Sequence, residues 1–197
     1  MISVAIFLYP DIELLDFAGP FEVFTTANRV ATKTGSDFPG FSVFSVAESK
    51  DPVRTRAGVT ILPDFSCAEH PPCDLLVVPG GVIDAELNNR ATISWIARTA
   101  SSAQIAASVC TGVFLLAQAG VATGEEVTTH WEDIEDLRLR FPGLTVTGNR
   151  RWVDRGKIVT SAGISAGIDM SLHLVERCSN NQLALQTAHQ MEFDWQK

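Results

Sequence analysis

Short apolar runs alternate with amphipathic segments along most of this chain. A continuous apolar run predicts a buried parallel strand, because helices cover both faces of such a strand. Apolar residues three or four positions apart predict a helix. The predicted strands cover residues 3–9, 41–47, 74–79, 105–109, 145–146, 152–154 and 157–160, with a hairpin over 53–62. The predicted helices begin at Gly19-Pro20 and cover 91–102, 111–119, 131–140, 165–178 and 182–191.

This order of elements predicts an α/β fold. We expect one flavodoxin-like domain over residues 1–197, with a mostly parallel sheet and helices on both faces. In such sheets, ligands bind at the carboxyl ends of the strands. Residues that directly follow the predicted strands are therefore the first candidates for a site.

Cys110 stands at the sharpest of these junctions. The segment Ser108-Val109-Cys110-Thr111-Gly112 joins a predicted buried strand to a predicted helix, the geometry of a nucleophile elbow. The amino terminus of the following helix favours a thiolate at Cys110, which makes it a candidate nucleophile. The alternative is a small buried apolar residue, as most free cysteines are.

Composition limits the classes of function. The 197 residues carry a net charge of −8, which argues against nucleic-acid binding by general electrostatics. No apolar run reaches the length of a membrane-spanning helix, and residues 2–9 lack the basic flank of a signal peptide. We therefore expect a cytoplasmic protein that has no membrane partner and whose four cysteines are reduced.

Cys67, His70 and Cys73 form a C-x-x-H-x-x-C cluster. A structural zinc site needs four ligands, and no fourth cysteine or histidine lies close by in sequence. The intervening Pro71-Pro72 also fixes the backbone between two of the three candidates. We expect no metal site here, and nothing in the sequence points to a cofactor.

Five segments together carry a family resemblance: F-L-Y-P-D-I-E-L-L-D-F-A-G-P-F-E-V-F, D-L-L-V-V-P-G-G, A-S-V-C-T-G-V-F-L-L-A-Q-A-G, T-T-H-W and V-T-S-A-G-I-S-A-G-I-D-M-S-L. In content, order and spacing they resemble the ThiJ/PfpI superfamily, the cysteine relatives of the class I glutamine amidotransferase domain. The match is most similar to the isonitrile hydratases and to the sensor domain of AraC-type regulators.

The resemblance implies a set of site residues. Cys110 would be the nucleophile, and Asp16, expected in the loop before Gly19-Pro20, the neighbouring acid. A carboxyl buried beside a thiolate should have a raised pKa and remain available as a proton donor. Developing negative charge would meet the backbone N–H groups of Gly81 and Thr111, with the Thr111 hydroxyl as an extra donor. Glycine at 80 and 81 lets the backbone approach a substrate.

His130 and Trp131 complete the candidate site. Members of the superfamily proposed as proteases carry histidine directly after the cysteine, where this chain has Thr111. That difference argues against peptidase chemistry. His130 either lines the cleft or packs around it, and Trp131 and Trp152 form an apolar wall for the substrate or simply belong to the core.

The expected function is that of a cysteine-dependent hydratase or lyase of small molecules, with isonitrile hydration to an N-substituted formamide as the leading reaction. The alternative is a non-enzymatic ligand or redox sensor. The chain ends soon after A-H-Q-M-E-F-D-W, so we expect no DNA-reading module unless the sequence is part of a longer regulator. The resemblance also implies a homodimer, whereas the sequence leaves the substrate open.

Overall fold

The computed structural model describes residues 1–196, so that Lys197, the last residue of the predicted domain, lies outside the described part. The strands are β1 Ile2–Phe7, β2 Phe41–Ala47, β3 Val53–Arg54, β4 Thr60–Ile61, β5 Phe65–Ser66, β6 Leu75–Val78, β7 Ile105–Val109, β8 Glu126–Val127, β9 Thr145–Val146, β10 Trp152–Arg155 and β11 Ile158–Ser161. The α-helices are α1 Leu14–Thr34, α2 Asp84–Leu87, α3 Arg90–Ser102, α4 Gly112–Gln118, α5 Ile134–Arg140, α6 Ala166–Cys178 and α7 Asn181–Gln190, and a 3-10 helix covers Trp131–Asp133.

Seven strands form the main sheet in the order β10-β11-β7-β6-β1-β2-β5. All neighbours are parallel except the β10–β11 pair at one edge, which is antiparallel. The five central strands, β2-β1-β6-β7-β11, follow the flavodoxin-like order of a doubly wound sheet. The predicted α/β fold with a mostly parallel sheet is therefore confirmed.

Helices cover both faces of this sheet. On one face, α1, α6 and α7 pack together over a core that includes Phe24, Met170 and Leu183. On the other face, α3, α4 and α5 contribute Trp95, Phe114 and other buried residues. Because both faces are covered, the central strands are largely apolar, and this explains why their apolar residues form runs and do not strictly alternate with polar ones.

Most predicted elements are present, and the hairpin over 53–62 forms from β3 and β4 with a turn at Gly58. The prediction omitted the two-residue strands β5 and β8 and the single turn of α2. The predicted helix over 131–140 is a 3-10 helix followed by α5. Among residues 1–196, no helix has both the length and the apolar character that crossing a bilayer requires.

The prediction for the start of α1 was wrong. The helix begins at Leu14, so Asp16 lies in its first turn and Pro20 lies inside it. Gly19 serves helix packing, since a Cβ there would lie 3.0 Å from Ile168 of α6. Pro20 removes the N–H that would bond the carbonyl of Asp16, but the helix continues to Thr34. A Gly-Pro pair that is typical of a helix start is here a tolerated interior feature.

Candidate active site

The carboxyl ends of β1, β6 and β7 bring three loops together. The strand order reverses between β1 and β6, the switch point at which sheets of this class bind ligands. The segment after β1 leads to Asp16, β6 leads to Gly80 and Gly81, and β7 leads to Cys110. Residues far apart in sequence therefore meet because parallel strands end at the same edge.

Cys110 is the residue at which β7 turns into α4, and its φ of 56° lies in the left-handed region that a side chain rarely adopts. The residue is 8% exposed and lines a cavity of about 440 Å³. The Thr111 N–H donates to its sulfur and acts to lower the pKa of Cys110. The predicted sharp turn is present, and it places the thiol at the floor of an open cavity.

The expected thiolate is not what this environment favours. Burial is the largest cause that raises the pKa of Cys110 well above its usual range, and the charge of Asp16 raises it further. The following helix, α4, has only seven residues, and its amino terminus does not outweigh these effects. Cys110 is therefore a thiol at neutral pH when no substrate is bound.

Asp16 is fully buried beside this thiol. Its Oδ2 accepts a hydrogen bond from the Gly80 N–H at 3.0 Å, while Oδ1 has no well-formed partner among the described residues. Burial raises the pKa of Asp16 to about 8, even though the Gly80 N–H and the Cys110 thiol act to lower it. Burial is the largest cause of this rise, and repulsion by Glu13 is a smaller one.

Gly80, Gly81 and Thr111 interlock around the turn. The Gly81 N–H donates to Thr111 Oγ1 at 3.0 Å, and that hydroxyl donates to the Gly81 carbonyl at 3.1 Å. A Cβ on Gly80 would lie 2.6 Å from the Thr111 nitrogen. A Cβ on Gly81, whose φ is 143°, would lie 2.5 Å from the Asp11 carbonyl oxygen. Only glycine fits at these two positions.

This interlock corrects the expected set of free donors. The Gly81 amide and the Thr111 hydroxyl satisfy one another, and the Gly80 amide is bound to Asp16, because the close approach of the two loops brings these groups into contact. Of the amides predicted to meet developing charge, that of Thr111 is the one directed at the sulfur.

His130 also lines the cavity, at the start of the 3-10 helix. Its Nδ1 accepts the Glu132 N–H at 3.4 Å and lies 3.6 Å from the carboxylates of both Glu132 and Asp133. Gly163 makes room for the ring, since a Cβ there would lie 2.1 Å from His130 Cδ2. The sequence left open whether His130 lines the cleft or packs around it. In the structure, His130 lines the cleft.

Trp131 neither lines this cavity nor belongs to the core, so neither of the two positions considered for it is the one it occupies. The 3-10 helix turns its side chain away from Cys110, and the indole is 76% exposed beside a separate surface depression near Asn149 and Arg150. Trp152 stacks on His173, with ring centroids 3.9 Å apart, on the edge strand β10. Neither tryptophan touches the Cys110 cavity.

Sequence reasoning missed most of the charged lining. The cavity wall includes Glu13, Arg56, Glu132, Asp133 and Ile164. Arg56 Nη1 lies 3.7 Å from Glu13 Oε2. Arg56 belongs to the β3–β4 hairpin, which folds back over the loop after β1, and no local pattern indicates that approach. For Glu132 and Asp133, their position directly after T-T-H-W was an available signal.

Cys67, His70 and Cys73 are not arranged as a metal site among the described residues. Both ring nitrogens of His70 are engaged, with Nδ1 2.8 Å from the Pro71 carbonyl and Nε2 accepting the Trp95 indole N–H at 2.9 Å. Burial raises the pKa of Cys67 to about 12 and that of Cys73 to about 11. Within residues 1–196, no group of three His, Cys, Asp or Glu side chains is arranged to hold a metal ion.

The fold and the site together define the class of protein. It is an α/β protein with a doubly wound sheet, a cysteine at a strand-to-helix turn and a buried acid beside that cysteine. Residues 2–177 match the model of the DJ-1/PfpI family, and the chain belongs to that family. This confirms the resemblance drawn from the five sequence segments.

Three relatives show the range of the family. The isonitrile hydratase of Pseudomonas putida is 28% identical over 193 residues, which cover 98% of this chain and 78% of the relative. The HTH-type transcriptional regulator CdhR of Pseudomonas aeruginosa is 29% identical over 183 residues, which cover 93% of this chain but only 52% of the regulator. A ThiJ/PfpI family protein from Pseudomonas syringae superposes with a TM-score of 0.85 at 28% identity, covering 99% of this chain and 76% of that protein.

Proposed function

We propose that this chain is a cysteine-dependent hydratase or lyase of small molecules, and that it hydrates an isonitrile to an N-substituted formamide. The observation that carries the proposal is the pairing of Cys110 with Asp16, a buried carboxyl with a pKa of about 8 and one unpartnered oxygen. The pair lies at the floor of a cavity large enough for a small molecule. The similarity to an isonitrile hydratase over nearly the whole chain supports the choice of reaction.

The first step adds the thiol across the terminal isonitrile carbon. The sulfur of Cys110 bonds to that carbon, Asp16 delivers a proton to the same carbon, and the proton of the thiol passes to Asp16. The product is a thioimidate, Cys110–S–CH=N–R, and the carboxyl is again protonated. Asp16 thus acts as a proton carrier, which suits a buried carboxyl that interacts directly with the Cys110 thiol.

Water completes the reaction. It adds to the thioimidate carbon, the nitrogen takes up a proton, and the C–S bond breaks to release the N-substituted formamide and return the Cys110 thiol. No oxidant, reductant or metal enters this balance. The raised pKa of Cys110 agrees with the scheme, because the first step consumes a thiol together with its proton, not a preformed thiolate.

Formamide production tests the proposal. The purified protein is incubated with one aryl and one alkyl isonitrile, and the formamide is measured by chromatography beside a Cys110→Ala variant. We expect turnover by the wild type and none by the variant. A Cys178→Ala variant is the matched control, since Cys178 lies at the end of α6, far from the cavity, and should keep full activity. Equal rates for the wild type and Cys110→Ala would refute the role of Cys110.

A second candidate is a small-molecule sensor that uses the same cavity. The similarity to a transcriptional regulator over 93% of this chain favours it. A sensor would bind a ligand above Cys110 but show no turnover in the formamide assay, whereas a hydratase would turn over. The same assay therefore separates the two candidates.

A further inference from the structure

Two buried threonines precede His130 in the T-T-H-W segment. Threonine is mostly exposed in folded proteins, and a buried polar side chain almost always has a hydrogen-bond partner. The Thr129 hydroxyl donates to the carbonyl of Cys110 at 2.8 Å, across 19 residues of sequence. A buried hydroxyl is therefore bound to the backbone of the reacting residue, although Thr129 does not line the cavity.

The segment that carries Thr129 is itself fixed to the main sheet. The Thr128 N–H donates to Thr160 Oγ1 at 2.9 Å, and both residues are buried. Thr160 lies on β11, which pairs in register with β7, the strand that ends just before Cys110. The sheet thus fixes Thr129 relative to the turn at Cys110.

Cys110 needs such support because its backbone is strained. Its φ of 56° is costly for a residue with a side chain, and surrounding contacts have to hold it there. The Cys110 N–H donates to the Ser161 carbonyl at 3.2 Å, and the Cys110 carbonyl accepts from Thr129. These two bonds hold the residue at both of its backbone polar groups.

One peptide unit links the Thr129 hydroxyl to the Cys110 sulfur. The carbonyl of Cys110 and the N–H of Thr111 belong to the same planar trans unit and point in opposite directions. With the carbonyl bound to Thr129, the Thr111 N–H points to the other side, where it donates to the sulfur. Rotation of the unit would move both groups together, so the bond that fixes the carbonyl also fixes the N–H.

We propose that Thr129 is a positioning residue for Cys110, whose hydroxyl holds the Cys110–Thr111 peptide unit so that the Thr111 N–H stays directed at the sulfur and at the negative charge that forms there. The proposal rests on the proposed function only in taking Cys110 as the reacting atom. Because Thr129 does not line the cavity, it acts through the backbone and not on a substrate.

Three substitutions separate the hydroxyl of Thr129 from its methyl group. Thr129→Val keeps the shape and removes the hydroxyl, Thr129→Ser keeps the hydroxyl and removes the methyl group, and Thr129→Ala removes both. The rate at which iodoacetamide modifies Cys110 is measured at pH 8 by peptide mass spectrometry.

We expect Thr129→Val to slow this reaction by about tenfold, the loss of thiolate that follows when the pKa of a thiol rises by one unit. Thr129→Ser should react at close to the wild-type rate, because the hydroxyl still holds the carbonyl. A role in packing alone predicts the reverse order, since valine fills the space of threonine and serine does not.

Two controls detect indirect effects. Thr187→Val removes a similar buried bond, from the Thr187 hydroxyl to the Leu183 carbonyl at 2.7 Å in α7, and should leave the rate at Cys110 unchanged. Labelling of Cys73, which is buried just before β6, would rise in any variant whose fold has loosened. If Thr129→Val does not fold, Thr129→Ser and Thr129→Ala still differ by the hydroxyl alone.

The outcomes are separable from those of the proposed function. An unchanged or raised rate in Thr129→Val, or equal rates in Thr129→Ser and Thr129→Ala, would overturn the positioning role. A wild type that produces no formamide but shows the expected order of labelling rates would remove the hydratase proposal and leave the positioning role in place.

Discussion

Two regions of this protein combine cysteine with histidine, and they differ in what surrounds them. Around Cys67, His70 and Cys73, each ring nitrogen of the histidine has a partner, and one of these partners is the indole N–H of Trp95 on α3. Around Cys110, a fully buried carboxyl keeps one oxygen without a well-formed partner, and the thiol opens onto a cavity. Polar groups that satisfy one another stabilise a fold, whereas an unsatisfied buried group beside an open cavity is available for chemistry.

The largest expected effect comes from Asp16→Asn. The amide occupies the same space but cannot deliver a proton to the isonitrile carbon, and loss of a positioned acid costs ~10²–10⁴ in rate. Formamide production at pH 7 measures the loss. Glu86→Gln is the control, because Glu86 is a buried carboxyl near Cys67 that bonds Thr92 and lies outside the cavity. An active wild type whose Asp16→Asn variant keeps most of its rate would contradict the proton-carrier role.

The same carboxyl should make stability depend on pH. With a pKa of about 8 in the fold against 3.8 ordinarily, Asp16 holds a proton in the folded state that the unfolded chain has lost. Stability contributed by this group is therefore present below about pH 4 and is lost as the pH rises toward 8, by at most about 1.4 kcal/mol per pH unit.

Urea unfolding at pH 5 and pH 8 measures this dependence. Relative to the wild type, Asp16→Asn should be more stable at pH 8 than at pH 5, because the variant has no buried proton to lose. Glu86→Gln again serves as the control. An identical difference between wild type and Asp16→Asn at both pH values would show that Asp16 titrates normally in the fold.

A smaller effect is expected in the other region. His70→Ala leaves the buried Trp95 indole N–H without its acceptor, which should cost about 1–3 kcal/mol in the free energy of unfolding. Activity at the Cys110 cavity should not change. The matched control is His189→Ala at the end of α7, where the histidine is exposed and stability should hold. Lost turnover in His70→Ala at unchanged stability would erase the distinction between the two regions.

The sequence was sufficient for the central strands because apolar runs such as β1 and β7 need no tertiary information to be recognised. It also placed Cys110 at its turn, since the small residues on both sides mark a tight junction. The sequence was not sufficient where contacts between distant segments determine the structure. Gly19 looks like a helix boundary until Ile168 packs on it, and Arg56 enters the cavity only because a hairpin folds back. The raised pKa of Cys110 depends on burial, which outweighs the local helix terminus.

The contacts that build the cavity floor are all long in sequence. The hydrogen bond from Gly80 to Asp16 closes a separation of 64 residues, and that from Gly81 to Thr111 closes one of 30. Such contacts form only after the chain has met the entropic cost of closing large loops, so they arise late, together with the registered parallel sheet. In a refolding chain, Cys110 would react with thiol reagents like any other cysteine until the sheet closes. Burial in the closed sheet would then slow this reaction, so the change in labelling rate would report the time at which the cavity floor forms.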